Sequence, residues 1–317
     1  MKQEKYRILF MGTPEFSVPT LRALAERERV TMAVTNPDRP KGRGRQLVAP
    51  PVKVVARERG IPVYQPDRVK NNPEAVRIIR DEEPDVIVVV AYGKILPSEI
   101  LEIPKYGCIN VHASMLPKLR GAAPINWAII NGDRRTGVTI MKMDEGMDTG
   151  PILLVREEAI RDDDTAQSLA GRLSELGSRA MADALSLMRE GKLIATPQDN
   201  DEATYAPLIK KELGKIDWSE PADTIRNLVR GLYSWPSAYT SLSGKNLKVV
   251  ACQVEQPPVD IGVAPGEIGE VRRDGILVRC GLGYLLLTRL QPEGKKELDA
   301  WSFVQGYRVS EGQCLGT

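Results

Sequence analysis

Short apolar runs alternate with amphipathic stretches along the first half of the chain. The clearest run, Asp85–Ala91, is continuously apolar and rich in β-branched residues, as in a strand whose sheet is covered on both faces. Apolar residues then recur at helical spacing from Ala166 to Gly191, and Thr165 is placed to cap that helix. The alternation predicts an α/β domain with a doubly wound, mostly parallel sheet. Further strands are expected at 6–10, 30–35, 137–143 and 151–158, with a helix at 19–28.

Beyond Pro207 the pattern changes to short strand-like runs that are separated by glycine and proline, at 247–253, 275–280 and 284–290. Such spacing is typical of a small β-barrel. The tract before it, 193–207, is rich in threonine, proline, glutamine, aspartate and asparagine and is therefore expected to be a linker. We predict a catalytic domain at 1–192, a linker at 193–207 and a second domain at 208–317.

The chain contains a single histidine, His112, so any imidazole acid–base chemistry must occur there. The run from Cys108 to His112 alternates, which in an extended strand places Cys108, Asn110 and His112 on one face. The punctuated tract 114–121 ends the strand, and ligands of open α/β sheets bind at such ends. By residue type alone, a hydrogen-bonded core histidine is the commoner case. The neighbouring carboxamide favours a catalytic pair.

A carboxylate partner for His112 is expected in the turn 144–150, because that turn follows a predicted strand. Asp148 lies between two glycines and is the first candidate, since a carboxylate fixes the tautomer of an imidazole and favours its protonated form. By sequence alone, Asp144 and Glu145 are nearly as plausible. A purely structural turn that needs aspartates is the remaining alternative.

Composition excludes several classes of function. The formal net charge is only +2, from 44 basic and 42 acidic residues, so no general affinity for nucleic acid or membranes is indicated. The four cysteines are dispersed, and no segment is apolar enough for a signal peptide or a membrane span, so a reducing cytoplasm is expected. The turn after the first strand has a single glycine, Gly12, which argues against a dinucleotide. One histidine and scattered cysteines predict no metal site.

Local charge is concentrated in the tract 36–46. Four basic residues against one acidic residue give it a charge of +3, and two glycines and two prolines predict a loop. A charge run of this kind is usually solvated surface. The functional alternative is contact with phosphates, which guanidinium groups bind through paired donors.

Several motifs together resemble the 10-formyltetrahydrofolate-dependent formyltransferases. They are Asn110-Val-His112, Ser114-Met-Leu-Pro117, Arg120-Gly-Ala-Ala-Pro-Ile125, Gly137-Val-Thr-Ile140 and Met147-Asp-Thr-Gly150. The resemblance implies a Rossmann-like catalytic domain, an OB-like carboxy-terminal domain and 10-formyltetrahydrofolate as the formyl donor, with no metal.

Two further segments resemble one branch of that family, whose acceptor is the amine of methionyl initiator tRNA. The tract 37–44, with Pro50-Pro-Val-Lys53, is similar to its inserted tRNA-binding loop. Ala203-Thr-Tyr-Ala206, Ile216-Asp-Trp218 and Trp235-Pro236 are similar to the start of its second domain. This resemblance implies an enzyme of translation initiation that works as a monomer, with no membrane partner, and whose carboxy-terminal domain at 208–317 also binds tRNA.

The resemblance also implies roles for individual residues. Asn110 donates to the oxyanion that forms when the amine attacks the formyl carbon, and His112 moves a proton or acts as a charged donor. Asp148 is selected over the two other acidic residues of its turn. One wall of the folate cleft is formed by Ser114, Met115, Leu116 and Pro117. Contacts to tRNA are expected from Lys41, Arg43 and Arg45.

Three alternatives are compatible with part of this pattern. A formyltransferase acting on a nucleotide-linked amino sugar shares the Asn-x-His core, but it needs no basic insertion. A formyltetrahydrofolate hydrolase would use water as acceptor and needs no RNA-binding loop. A non-catalytic RNA-binding module would account for the basic loop and the barrel, but it would leave Asn110, His112 and Asp148 unexplained.

Overall fold

The computed structural model describes residues 4–41, 46–256 and 262–316. Contacts among these residues divide the chain into two compact units. Unit 1 comprises Met1–Pro124, Arg135–Ala159 and Ala170–Pro207. Unit 2 comprises Ile125–Arg134, Ile160–Leu169 and Leu208–Thr317. The segment 193–207, for which we predicted a linker, therefore contributes its contacts to unit 1.

Among the described strands of the first 207 residues, the longer ones correspond to the predicted strands, and five strands of two or three residues were not predicted. The strands are β1 (Arg7–Gly12), β2 (Arg29–Val34), β3 (Arg39–Lys41), β4 (Gln46–Val48), β5 (Val63–Tyr64), β6 (Val86–Val90), β7 (Cys108–His112), β8 (Arg120–Gly121), β9 (Arg135–Lys142), β10 (Ile152–Ala159) and β11 (Tyr205–Ala206). The helices over the same part of the chain are α1 (Val18–Arg27), α2 (Pro51–Glu58), α3 (Pro73–Asp81), α4 (Ser98–Leu101), α5 (Pro124–Ile130) and α6 (Ala166–Arg189).

Within the described residues, unit 1 is built on a seven-stranded sheet in the order β10-β9-β7-β6-β1-β2-β5. Strands β1, β2, β5, β6 and β7 pair in parallel, and β9 and β10 are antiparallel to their neighbours. Every residue of β6 is buried, as its continuous β-branched sequence requires. The order and directions confirm the predicted Rossmann-like, mostly parallel sheet.

The long helix α6 begins where the sequence predicts. The Thr165 Oγ1 accepts from the Ser168 backbone N–H at 3.2 Å, and the Ser168 Oγ accepts from the Thr165 N–H at 3.0 Å, which caps two otherwise unpaired donors. Apolar residues on its inner face are buried, among them Leu169, Leu173, Ala180 and Ala184. This helix serves packing, in agreement with the sequence pattern.

Unit 2 is dominated by an antiparallel sheet. Its elements are α7 (Ala222–Gly231), β12 (Ala238–Leu242), β13 (Lys245–Glu255), β14 (Ile268–Val271), β15 (Ile276–Arg279), β16 (Tyr284–Pro292), β17 (Leu298–Asp299) and α8 (Ala300–Tyr307). The sheet order is β12-β13-β16-β15-β14, with β17 paired to β16. Isolated bridges join Leu242 to Leu315 and Glu267 to Cys314, so the chain end lies between the two outer strands. This arrangement agrees with the predicted OB-like barrel.

The segment 36–46, which we predicted to be a loop, contains strand residues in the structure. Its two ends are extended and pair as antiparallel strands, with Arg39 opposite Val48 and Lys41 opposite Gln46. Proline is tolerated in such a short two-stranded ribbon because edge positions need no ladder hydrogen bond from its nitrogen. Residues 42–45 lie outside the described residues. None of the helices in the described ranges has the length and apolarity that crossing a lipid bilayer requires.

Candidate active site

The carboxyl end of β7 holds the single histidine of the chain. Strand β7 runs from Cys108 to His112, the same bounds that the alternating pattern predicts. Cys108, Asn110 and His112 share one face because strand side chains repeat every two residues. Cys108 and His112 are buried, whereas Asn110 between them is half-buried. The structure therefore places the carboxamide and the imidazole side by side at a strand end.

Both ring nitrogens of His112 face protein oxygens. Nε2 lies 3.0 Å from the Leu119 carbonyl oxygen, and Nδ1 lies 3.5 Å from Oδ2 of Asp148. A carbonyl oxygen can only accept, so Nε2 must carry the hydrogen in this contact. Nδ1 is then the ring nitrogen that need not carry a hydrogen, and it faces a carboxylate.

Asp148 is the acidic residue of the turn that reaches His112. Its Oδ2 also accepts from the Gly121 backbone N–H at 2.8 Å, and its backbone lies in the left-handed region at φ 54°. Asp144 has a different task, since its Oδ1 accepts from the Gly146 N–H and from the Thr149 hydroxyl at 2.7 Å. The structure thus separates two aspartates that the sequence left as alternatives, one facing the imidazole and one shaping the turn.

Asn110 is the second polar side chain at this strand end. Its backbone lies between Val89 of β6 and Met141 of β9 in the register of the sheet. Its side chain forms no hydrogen bond with any residue in the described ranges. A half-buried carboxamide without a protein partner has donors to offer to a bound molecule.

Cys108 begins the same face and carries no reactive thiolate. Its Sγ lies 3.8 Å from the Ile100 carbonyl oxygen, and burial raises the pKa of its thiol to about 12. Nucleophilic cysteines require the thiolate near neutral pH. The face therefore offers a donor, an imidazole and a carboxylate, but no protein nucleophile at Cys108.

The segment that follows β7 contains the residues expected to line the folate cleft. Ser114 and Leu116 are almost completely buried, and Met115 and Pro117 are half-buried. The Ser114 hydroxyl donates to the Lys118 carbonyl oxygen at 2.6 Å, so it is engaged within the segment. The Leu116–Pro117 peptide bond is cis. The two half-buried side chains are the ones that this segment presents at its surface.

Thr139, which the sequence did not single out, holds this segment in place. It lies opposite His112 in the register of β7 and β9 and is fully buried. Its hydroxyl donates to the Ser114 carbonyl oxygen at 2.7 Å and accepts from the Leu116 N–H at 3.0 Å. One hydroxyl therefore fixes both ends of the Ser114–Leu116 tripeptide. The motif Gly137-Val-Thr-Ile140 contained the residue, but nothing in it revealed this contact.

Gly137 explains how closely this wall is packed. A Cβ atom at this position would lie 2.2 Å from the Arg156 carbonyl oxygen and 2.9 Å from Cγ of Met115. Both distances are shorter than real Cβ contacts allow, so the strand accepts only glycine here. The absence of a side chain at Gly137 leaves the space in which Met115 lies.

Residues of the expected linker also contribute to the site. The Gln198 carboxamide donates from Nε2 to the Asp148 and Gly150 carbonyl oxygens at 2.8 and 2.7 Å. The Thr204 hydroxyl accepts from the Leu119 N–H at 2.9 Å. A polar tract with no hydrophobic periodicity gives no signal for such contacts, because each joins residues more than forty positions apart.

The three residues expected to contact tRNA belong to the basic tract 36–46 of the sequence. The backbone of Lys41 ends β3, and Arg43 and Arg45 lie outside the described residues. At the base of the β3–β4 hairpin, the Lys53 Nζ donates to both carboxylate oxygens of Asp38, at 2.8 and 2.7 Å. Hydrogen bonds from Lys53 and Gln65 lower the pKa of Asp38. The described residues contain no cluster of three or more potential metal ligands.

Comparisons with known proteins cover both halves of the chain. The family described as Formyl transferase matches residues 5–185, and the family described as Formyl transferase, C-terminal domain, matches residues 208–308. The methionyl-tRNA formyltransferase of Citrifermentans bemidjiense is 54% identical over 311 residues, which is 98% of this chain and 96% of the relative. That of Caldanaerobacter subterraneus is 49% identical over 310 residues, with 98% and 99% covered.

Solved structures share the fold at low identity. The sugar 3N-formyl transferase WlaRD, determined with dTDP and 5-N-formyl-THF, superposes with a TM-score of 0.65 at 18% identity, over 92% of this chain and all of that one. HypX from Aquifex aeolicus, in complex with tetrahydrofolic acid, gives 0.64 at 19% identity over 97% of this chain. The chain spans about half the length of HypX, since the superposition covers 48% of that protein. The chain belongs to the formyltransferase family and, within it, to the methionyl-tRNA formyltransferases.

Proposed function

We propose that Asn110, His112 and Asp148 transfer the formyl group of 10-formyltetrahydrofolate to the amino group of methionyl initiator tRNA. The observation that carries this proposal is the contact of His112 Nδ1 with Asp148 at 3.5 Å, at the carboxyl end of the strand that carries Asn110 on the same face. The identity of about 50% to methionyl-tRNA formyltransferases over nearly the whole chain supports the same substrates. The product starts translation.

The substrate's own amine is the nucleophile in this reaction, so the enzyme needs no reactive serine or cysteine. Attack on the formyl carbon turns its carbonyl oxygen into an oxyanion, and the Asn110 carboxamide supplies a donor for it. The bond between the carbon and the folate nitrogen then breaks, and the carbonyl is restored. The formyl group has exchanged one nitrogen for another.

One proton must move in the same reaction. The amine loses a proton when its new bond forms, and the folate nitrogen gains one when it leaves. His112 handles this proton at Nδ1, because Nε2 is held as a donor to the Leu119 carbonyl oxygen. Asp148 stabilises the imidazolium while it exists. Whether the imidazolium also braces the oxyanion is decided by where the formyl oxygen lies.

The two substrates need different surfaces. The flat rings of the folate fit a narrow, mostly apolar cleft, for which Ser114, Met115, Leu116 and Pro117 form one wall. The acceptor end of the tRNA carries phosphates, for which Lys41, Arg43 and Arg45 of the basic tract 36–46 provide positive charge. The enzyme works as a cytoplasmic monomer without a metal. Light scattering at assay concentration and full activity in excess chelator test the last two statements.

The deciding assay supplies the purified chain with 10-formyltetrahydrofolate and methionyl initiator tRNA. We expect formylmethionine on the tRNA and stoichiometric release of tetrahydrofolate. A nucleotide-linked amino sugar and water serve as the competing acceptors in parallel reactions. Formylation of the sugar, or release of formate, in the absence of any formylmethionine would overturn the proposal.

A further inference from the structure

Within the turn that presents Asp148, the Asp144 carboxylate accepts from the Gly146 N–H and the Thr149 hydroxyl, but neither bond reaches Asp148. Residues 144–147 are exposed, and Met147 is 64% exposed. Asp148 itself adopts a left-handed backbone conformation, which non-glycine residues populate sparsely. An exposed turn in such a conformation does not by itself hold a carboxylate at a fixed distance from an imidazole.

Gln198 supplies the missing support from another part of the chain. Its Nε2 donates to the carbonyl oxygens of Asp148 and Gly150, so that one amide group bridges the tripeptide Asp148–Gly150. Gly150 packs so tightly that a Cβ atom there would lie 1.9 Å from the Lys142 carbonyl oxygen. The turn is thereby held between Gln198 and the end of β9.

Arg120 determines which way the Gln198 amide points. Arg120 is only 2% exposed, and its Nε and Nη2 donate to Oε1 of Gln198 at 3.1 and 2.8 Å. A second bond from Nη2 reaches Oδ1 of Asn200 at 2.9 Å. Because a guanidinium can only donate, the Gln198 oxygen must face Arg120 and its nitrogen must face the turn. The carboxamide then uses both of its donors and accepts twice.

Strand β8, which contains Arg120, also holds the side chain of Asp148. Gly121 follows Arg120 directly, and its backbone N–H donates to the Asp148 carboxylate. Pairing of β8 with β11 places Tyr205 opposite Arg120 and Ala206 opposite Gly121, which fixes this short strand. Asp148 is therefore held by two groups: Gln198 bonds to its main-chain carbonyl oxygen, and the Gly121 N–H bonds to its side chain.

We propose that Gln198, oriented by the buried Arg120, is the positioning residue that aims the Asp148 carboxylate at Nδ1 of His112. The inference rests on the proposed function of this site and extends it to a residue outside the motifs of the family. The Gln198 carboxamide uses both its donors on the turn and accepts twice from Arg120. It acts through the backbone of Asp148, so its loss should affect turnover and leave substrate binding in place.

The test compares Gln198→Ala with a matched control, Asn200→Ala. Both remove an acceptor from Arg120, but only Gln198 is bonded to the turn. For Gln198→Ala we expect kcat to fall about 10- to 100-fold, because a misplacement near 1 Å costs that much, with KM for folate and tRNA changed by less than about twofold. Asn200→Ala should keep kcat within about twofold of the wild type.

The single histidine supplies a readout that is independent of activity. Every imidazole signal in an NMR spectrum of ¹⁵N-labelled protein comes from His112. We expect its ring nitrogen signals to move in Gln198→Ala and to stay in place in Asn200→Ala. Equal losses of kcat in both variants, or unchanged kcat and unchanged signals in Gln198→Ala, would show that Gln198 is only a structural support.

Gln198→Glu covers the case in which the alanine variant does not fold. A glutamate keeps the length and pairs with Arg120, but it brings an acceptor against the Asp148 and Gly150 carbonyl oxygens. Wild-type kcat with unmoved His112 signals in this variant would overturn the inference. The spectra are recorded without substrates, so they test the positioning role of Gln198 independently of activity. If the wild type formed no formylmethionine, that result would refute the proposed function and would leave the positioning role to be decided by the spectra.

Discussion

His112 is the residue on which the proposed chemistry depends most directly. We predict that His112→Ala lowers kcat/KM roughly 100- to 10,000-fold, the usual contribution of a positioned acid–base group. The loss follows because the variant has no group that can take up the amine proton beside Asp148. Steady-state formylation of methionyl initiator tRNA measures it, and circular dichroism confirms that the variant is folded. Near-normal turnover in a folded variant would contradict the mechanism.

Asn110 allows a sharper substitution, because aspartate has the same shape and lacks the donor. We expect Asn110→Asp to reduce kcat about 100- to 1,000-fold, since it replaces one oxyanion donor with an acceptor. Asn246→Asp, at an exposed position of β13, introduces the same charge in unit 2 and should leave kcat unchanged. Equal effects of the two substitutions would mean that charge, not donation to the substrate, explains the loss.

The sequence predicted the members of this site that lie on one strand. Asn110 and His112 follow from alternation, a local rule that fixes which side chains share a face. The spacing made Asp148 the first candidate with Asp144 nearly as plausible, the family resemblance selected Asp148, and the structure brings Asp148 to the imidazole. Thr139 and Gln198 could not be predicted, because their roles arise from hydrogen bonds to residues 25 and 50 positions away.

Elements with strong periodicity were predicted well, and elements fixed by pairing partners were not. The bounds of β7 and the start of α6 agree with the sequence pattern, since apolar alternation and a capping threonine are local signals. The short strands β8 and β11 were missed, because two residues carry no period and exist only through each other. For the same reason, the tract 193–207 resembled a linker.

The pairing of β9 with β7 leads to a prediction about Thr139. We expect Thr139→Val, which keeps the shape of the side chain, to weaken folate binding roughly tenfold, equivalent to about 1.4 kcal/mol. The reason is that the Leu116 N–H and the Ser114 carbonyl oxygen lose their shared partner, which loosens the wall of the cleft. Titration of the variant with a 5-formyl analogue of the donor, followed by tyrosine and tryptophan fluorescence, measures the affinity.

A matched control for Thr139 exists in unit 2. Thr240 is also a buried strand threonine, and its hydroxyl accepts from Nε1 of Trp218 at 3.0 Å. Thr240→Val should lower the resistance of the protein to denaturant and leave folate affinity unchanged. Loss of folate affinity in both variants would indicate that any weakened core reduces binding. The prediction of a specific role for Thr139 would then be wrong.

At the scale of the whole molecule, the positions of the charged residues indicate more about function than the net charge of +2 does. Asp38 was counted against the basic residues of the hairpin, but it pairs with Lys53, whose side chain is 9% exposed. The carboxylate is thus committed to the base of the hairpin. The charge of Asp38 is therefore balanced by Lys53, a residue outside the tract 36–46.

We therefore expect the hairpin to contribute to tRNA use and not to folate binding. Arg43→Ala should raise KM for tRNA several-fold and leave KM for 10-formyltetrahydrofolate unchanged, and it should reduce the salt dependence of tRNA binding by about one counterion. Arg77→Ala removes an exposed positive charge from α3 and is the control, with no expected effect on either substrate. The salt dependence is obtained by measuring tRNA binding between 50 and 200 mM salt. Over this interval, the affinity of a protein that makes several phosphate contacts falls about tenfold or more. Equal losses for both substrates in Arg43→Ala would mean that the hairpin supports the fold of unit 1 and does not contact phosphates.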